Sequence, residues 1–334
     1  MEHSDDTARQ MLSELRDEFR TTLPEDTVGY WYDLHAQSIF RVDDTSGMVT
    51  DEDMFKFAHL VEKADFKELE QFVGFKVFEP THKDSVKLKA NIVDGIWIRK
   101  WKVYGVEVKS RMCSRGCFDK QKHTIDRHSS TATRVSQRLV ISTGMNGTMS
   151  GYNGHEYFDA PDDIDTESLD IQGAFLQGLD YQQLQVQARS LGYEVKEPRQ
   201  VYVAPPENVW RHFRRMASAP SSWKVADAER ALWVLLALRA TYGFGDAPLM
   251  FQLALICFLL LQTNAYKSVW DDNYLYWIWD GHHVLSLTAH VDDLQITGCR
   301  YVREWIFHSL TFRFWRTEKT VNAIRTCWHT AGAA

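Results

Sequence analysis

Two adjacent carboxylates, Asp292 and Asp293, stand between the apolar run Val284–Ala289 and its continuation Leu294–Gly298. That pattern reads as a tight β-hairpin with both acids at its tip. Paired acids on a rigid turn repel each other unless cations bind between them. A third acid, Asp170, lies far upstream in Ser168-Leu169-Asp170-Ile171-Gln172-Gly173, where a β-prone start carries it out of a strand and into a turn. Three carboxylates from two strand ends can hold two Mg²⁺ ions, with Mn²⁺ as a substitute. Such a pair, about 3.5–4 Å apart, drives in-line phosphoryl transfer in polymerases and nucleases. An Asp-Asp pair at a hairpin tip is by itself more often only a polar turn, so the reading depends on what surrounds it.

The elements that must position these acids follow from periodicity. Gln200–Val203 reads as a short strand closed by Pro205-Pro206, and Ala231–Leu238 as a second apolar run ahead of Tyr242-Gly243-Phe244-Gly245. Asp246 can cap a helix with Pro248 in its first turn, running through Phe251, Leu255 and Leu259 to about Thr263. Tyr274–Trp279 and Val284–His290 read as adjacent strands. The order is an α+β layer with helices on one sheet face and both acid-bearing turns at one end. Upstream, Ile92–Trp101 and Val103–Met112 flank a hairpin turn near Tyr104-Gly105, and Arg99, Lys100, Lys102, Lys109 and Arg111 decorate this ribbon. Thr7–Arg20 and Asp51–Phe72 have helical spacing, Phe75–Phe78 turns towards strand, and residues 144–163 read as a loop.

A chain of 334 residues is long enough for two or more packed units. The apolar stretch Leu253–Leu261 is about half of the ~20 residues a spanning helix needs. Met1–Asp6 lacks the positive and apolar parts of a signal peptide. The expectation is a soluble intracellular protein, cytoplasmic or nuclear and not secreted, with no membrane partner. Five cysteines suggest reduced thiols. The formal net charge of −7 is unfavourable for nucleic-acid binding, but it is unevenly spread. Residues 1–70 hold 18 Asp and Glu against 7 Lys and Arg, whereas 97–140 hold 11 Lys and Arg against three acids. Cys113, Cys117, His123 and His128 have zinc-ligand types. The five residues between Cys117 and His123 are fewer than the ~12 of a zinc finger, which weighs against that site.

The segment Asp170-Ile171-Gln172-Gly173-Ala174-Phe175-Leu176-Gln177-Gly178 resembles the palm motif of copia-type retrotransposon reverse transcriptases, Asp, three variable residues, Ala-Phe-Leu, a variable residue and Gly. Tyr242-Gly243-Phe244-Gly245-Asp246-Ala247-Pro248 is similar to that family's Tyr-Gly-Leu-Lys-Gln-Ala-Pro, and His290-Val291-Asp292-Asp293 to its Tyr-Val-Asp-Asp. Ile92–Lys102 and Lys109–Gly116 look like the fingers ribbon, Val201–Pro206 like Val-Tyr-Met-x-Gln-Pro, and Asp272–Tyr276 like Asp-Pro-Ser-Leu-Phe. The matches are collinear over about residues 65–300.

The resemblance implies an RNA-directed DNA polymerase domain with a right-hand fold of fingers and palm. Its palm would be a ferredoxin-like sheet with helices on one face, and its thumb and RNase H would be missing or degenerate. The implied regions are an acidic helical region at 1–65, fingers at 66–164, palm at 165–300 and a truncated tail at 301–334. It further implies that Asp170, Asp292 and Asp293 form the catalytic, Mg²⁺-binding carboxylate cluster. Lys102 and Arg111 would grip triphosphate oxygens, Phe175 would block a ribose 2′-hydroxyl, and Tyr242 and Gly243 would line the incoming-nucleotide pocket. The implied partners are a primed RNA or DNA template, deoxynucleoside triphosphates and other parts of a Pol polyprotein. Gly245-Asp246, where the family has Lys-Gln, removes a cation and adds an anion near the triphosphate. With the missing thumb, this supports an alternative: a catalytically inactive relic that keeps the palm and binds nucleic acid weakly.

Overall fold

The computed structural model describes residues 29–33, 38–42, 47–146, 164–184, 186, 189, 199–314 and 317–321. The helix expected over Thr7–Arg20 and most of the expected loop 144–163 lie outside them. The fold is α+β. Its described elements begin β1 (Gly29–Asp33), β2 (Ser38–Val42), α1 (Asp51–Lys56), α2 (Ala58–Gly74), β3 (Phe78–His82), β4 (Ile92–Val103), β5 (Glu107–Ser114) and α3 (Arg134–Asn146). They continue β6 (Asp165–Ile171), β7 (Tyr202–Ala204), α4 (Glu207–Arg215), β8 (Trp233–Ala237), α5 (Ala247–Gln262), β9 (Tyr266–Lys267), β10 (Tyr274–Trp279), β11 (His282–His290), β12 (Asp293–Gly298), α6 (Arg300–Arg313) and β13 (Thr317–Val321). The chain divides into two compact units, Met1–Val61 with Arg99–Lys109, and Glu62–Ile98 with Ser110–Ala334.

In the smaller unit β1 pairs antiparallel with β2. A capping box starts α1: Asp53 N–H donates to Thr50 Oγ1 at 3.1 Å, and Thr50 N–H donates to Asp53 Oδ2 at 3.2 Å. Asp53 also accepts from Trp101 Nε1 at 3.1 Å and from the Tyr104 hydroxyl at 3.3 Å. Phe57 meets the Trp101 ring edge-on at 5.2 Å. Trp101 is therefore a packing residue. The expected ribbon turn is present, with Gly105 at φ +70°.

The larger unit holds a six-stranded sheet in the order β13-β6-β12-β11-β10-β9, antiparallel at every step. Alternation along the strands divides its faces. Leu169, Ile171, Leu294, Ile296, Leu285 and Leu287 fill one face and are nearly or fully buried. Thr166, Ser168 and Asp170 share the other face with their cross-strand partners Thr297, Gln295 and Asp293.

Helices α5 and α6 cover the apolar face. Trp277 Nε1 donates to the Thr263 carbonyl beyond α5 at 2.9 Å, and Phe314 beyond α6 meets Phe251 and Phe258 of α5, each at 5.7 Å. Each large side chain buried here contributes about 1.5–3 kcal/mol. Helix α3 crosses the polar face instead, where Thr297 Oγ1 donates to the Val140 carbonyl at 2.9 Å. Helices thus lie on both faces, unlike the one-sided layer read from the sequence. The Thr166–Thr297 pair explains this, because hydroxyls facing one another at 2.5 Å give a polar strand face a partner for a helix backbone.

The segment expected to be a tail adds α6 and β13 to this layer. Lys319 Nζ on β13 is 2.9 Å from Glu167 of β6 and 2.6 Å from Glu304 of α6, and Arg303 Nε is 3.3 Å from Glu167. The second sheet runs β3-β8-β7-β4-β5, with β4 and β7 parallel. Among the described residues no helix is long and apolar enough to cross a membrane.

Candidate active site

The three carboxylates come from adjacent strands. Asp293 is the direct cross-strand partner of Asp170, and Asp292 occupies the two-residue turn between His290 and Asp293. Residues directly opposite in an antiparallel pair project to the same face, about 4.5–5.5 Å apart at Cβ. Asp170 and Asp293 therefore share the polar face, while Leu169 and Leu294 beside them are buried. The Asp292 carbonyl accepts from Ile171 N–H at 3.1 Å and ties the hairpin tip to the end of β6. Val291 takes φ +59°, the positive value that a type II′ hairpin turn requires at its first central position. A β-branched residue there stores about 1–3 kcal/mol of backbone strain.

Carboxylate oxygens are hard donors of the kind that suit a divalent cation such as Mg²⁺. As placed they do not form a closed set, since no group of three or more His, Cys, Asp or Glu among the described residues is positioned to hold a metal ion. The Cys113, Cys117, His123, His128 group likewise forms no such set among the described residues. Burial, with the Glu68 charge adding to it, pushes the half-buried Cys113 thiol up to about 11, which leaves it a protonated packing group at neutral pH.

Three of the expected nucleotide-contacting residues assemble. The Arg111 guanidinium lies over the Tyr242 ring at 4.8 Å, and Phe175 meets the same ring at 6.0 Å. Burial holds the Tyr242 phenol well above its usual range, with Glu68 and Asp292 acting in the same direction and Arg111 opposing them. Tyr242 is therefore a neutral hydroxyl within electrostatic reach of the hairpin tip. Phe175 reaches this position because Gly173, at φ +65°, turns the chain from β6 into a 3₁₀ turn over Ala174–Gln177.

Gly243, at φ +91°, lets its backbone lie directly on β5. Ser114 N–H donates to the Tyr242 carbonyl at 2.8 Å, and a Cβ on Gly243 would fall on the Ser114 carbonyl oxygen. Lys102 belongs to the smaller unit, where its ammonium stands 2.8 Å from Glu107.

Asp246 departs from the sequence reading. It begins α5 but makes no capping bond with its side chain. Its carboxylate is buried 3.1 Å from Arg199 Nε and accepts from the Tyr181 hydroxyl at 3.2 Å. Arg199 also pairs with Asp119 at 2.6 Å, and Asn91 donates to Asp119 at 2.7 Å. At Asp246 burial raises the carboxyl pKa against the pull of Arg199. At Asp119 burial also acts upward, but Arg199, Asn91 and the Gln121 N–H together hold the group below its ordinary value. The anion expected near the triphosphate is thus turned inward and paired. Sequence reasoning missed Arg199, whose position just before β7 belongs to no motif; an acid within the basic 97–140 segment, Asp119, was the available signal for a buried partner.

No protein-family model matches the chain, and no curated protein matches it in sequence.

Proposed function

We propose that the chain is an RNA-directed DNA polymerase domain of the copia retrotransposon type, with fingers and palm arranged around the six-stranded sheet. The observation that carries this reading is the pairing of Asp293 with Asp170 across adjacent strands, with Asp292 on the turn between β11 and β12. The collinear motifs of the sequence support the same reading.

Asp170, Asp292 and Asp293 would hold two Mg²⁺ ions, which when bound supply a polarised primer 3′-hydroxyl and charge neutralisation at the α-phosphate. The protein's part is positioning. The double ladder of β6 fixes Asp170, and the strained turn fixes the hairpin acids. Arg111 offers a planar fork of N–H donors to phosphate oxygens, held in orientation by the Tyr242 ring. Phe175 stands against Tyr242, where its ring can exclude a ribose 2′-hydroxyl. The template and primer would be read through backbone charge by the basic segment 97–140.

The test is addition of a single deoxynucleotide to a primed RNA template with Mg²⁺ or Mn²⁺. We expect extension by the intact chain and a loss of about a hundred- to a thousandfold in Asp292→Asn, the order expected when a transition-state charge stabiliser is removed. Equal extension by both would remove these carboxylates from the mechanism. No extension by a folded intact chain would move the reading to the non-catalytic relic.

A further inference from the structure

Along β10, Leu275 and Trp277 face the apolar side of the sheet with their cross-strand partners Leu287 and Leu285, so Tyr274 and Tyr276 stand on the polar face. There Tyr276 stacks on its partner Tyr266 of β9 at 5.5 Å, with 19° between the ring planes. Tyr274 stands 6.4 Å from Tyr276 at 37°, and Trp270 lies 5.6 Å from Tyr274 at 33°. Four rings therefore form one row at offset-stacking distances. The inner pair is covered, Tyr274 fully and Tyr276 in part, but both ends are open: Tyr266 is 51% and Trp270 59% exposed. An exposed aromatic row of this size marks a surface that meets a partner.

The row is held in place before any partner arrives. The Tyr274 hydroxyl and Ser286 Oγ share a hydrogen bond of 2.7 Å, and Ser286 Oγ shares another with His283 Nε2 at 2.9 Å. Trp270 N–H donates to Ser268 Oγ at 3.2 Å, and Asn273 N–H donates to Asp271 Oδ1 at 2.9 Å. The other oxygen of Asp271 accepts from Thr133 N–H at 2.8 Å and from Ser136 Oγ at 2.6 Å. Those bonds seat the first turn of α3 against the residue that follows Trp270. Arg134, next after Thr133, is exposed and without an ion pair among the described residues. Of the nearby acids, Asp271 is buried in these bonds and Asp272 is 2.9 Å from Lys267 Nζ.

We infer that Tyr266, Tyr276, Tyr274 and Trp270 form a stacking shelf for the bases of a single-stranded nucleic acid, with a cation for its phosphates on the adjoining turn of α3. Flat rings with open end faces suit a base, which every nucleotide presents, and fixed rings lose little entropy on binding. Strand addition by a protein is disfavoured, because β9 is two residues long and carries a charged lysine. The shelf goes beyond the polymerase reading and does not rest on it, since it uses none of the three carboxylates and needs no metal.

The test is anisotropy of a labelled oligothymidylate of about 12 nucleotides, within the usual site sizes of single-strand binders, titrated with the full chain in metal-free buffer. An abasic strand of equal length is the control for phosphate charge. The intact chain should bind the oligothymidylate more tightly than the abasic strand. Trp270→Ala and Tyr266→Ala should each weaken oligothymidylate binding by about tenfold, the order of one base–ring stack, and leave abasic binding and the salt slope unchanged, because neither removes a cation. Trp270→Phe should keep most of the affinity, and it decides the matter with Tyr266→Ala if Trp270→Ala fails to fold. Equal binding of the two strands, or unchanged binding in both alanine variants, would overturn the inference. No binding by the folded intact chain would also overturn it and leave the shelf to a protein partner. Primer extension separates the two readings: a chain that stacks oligothymidylate on these rings yet extends no primer keeps the shelf and loses the polymerase.

Discussion

Arg199 shows how a charge can be structural at the edge of a site built from charges. It is buried with Asp119 on one side and Asp246 on the other, and its guanidinium also lies over the Phe244 ring at 5.1 Å. Removing one partner of a buried ion pair is far more damaging than the pair's net contribution, because the remaining charge is stranded. Arg199→Ala should therefore lower the unfolding free energy by about 3–5 kcal/mol, read from urea denaturation. A decrease below about 1 kcal/mol would mean that water already solvates both acids. At this scale the sequence was partly legible. Asp170, Asp292 and Asp293 were singled out by residue type and by their places at a strand end and a hairpin tip, whereas Arg111, Phe175 and Tyr242 were named only through the family resemblance, and their side chains meet one another in the fold. The role of Asp246 was not, because an acid one residue ahead of a helix looks the same whether its carboxylate turns to its own backbone or to an arginine 47 residues upstream.

Among the elements, the contact of the Tyr242–Gly245 turn with the end of β5 fixes the candidate nucleotide pocket. It is backbone on backbone: Gly243 lies on Ser114, and a Cβ on Gly116 would fall on the Gly243 carbonyl oxygen. Gly243→Ala combines a φ of +91° with that collision, so it should destabilise the chain by about 2–4 kcal/mol. Chemical denaturation measures this, and a change within about 0.5 kcal/mol would show that the two segments do not touch. Most strands were visible as alternating or apolar runs, and the burial of α5 followed from its unbroken hydrophobicity. Strand β13 was hidden because it docks through Lys319 in an ion network with Glu167 and Glu304 and not through an apolar stripe. The placement of α3 was hidden for a related reason: it packs on threonine hydroxyls, a surface that hydrophobic periodicity does not register.

For the molecule as a whole, charge distribution matters more than the net value of −7. Arg134 and Arg138 lie one helical turn apart on α3, both exposed and without ion pairs among the described residues, over the sheet face that carries the carboxylates. If a primed template crosses that face, replacing both with alanine should weaken binding at low salt. It should also reduce the slope of log K against log salt by about 1 for each phosphate that is no longer neutralised. Fluorescence titration across 50–200 mM salt, the range over which such contacts are usually resolved, reads the slope, and an unchanged slope would place the nucleic acid elsewhere. Strand β6 has a further consequence. It is paired on both sides, by β12 and by β13, and its end meets a partner 146 residues later, where Gln172 donates to Glu318. Closing so long a loop is entropically slow, and a nascent chain must wait for that late segment before the second ladder can form. Until then the Asp170 strand presents an open row of backbone donors and acceptors to any neighbouring chain. The same two-sided pairing that fixes Asp170 in the finished fold leaves its strand with neither neighbour until β12 and β13 have been made.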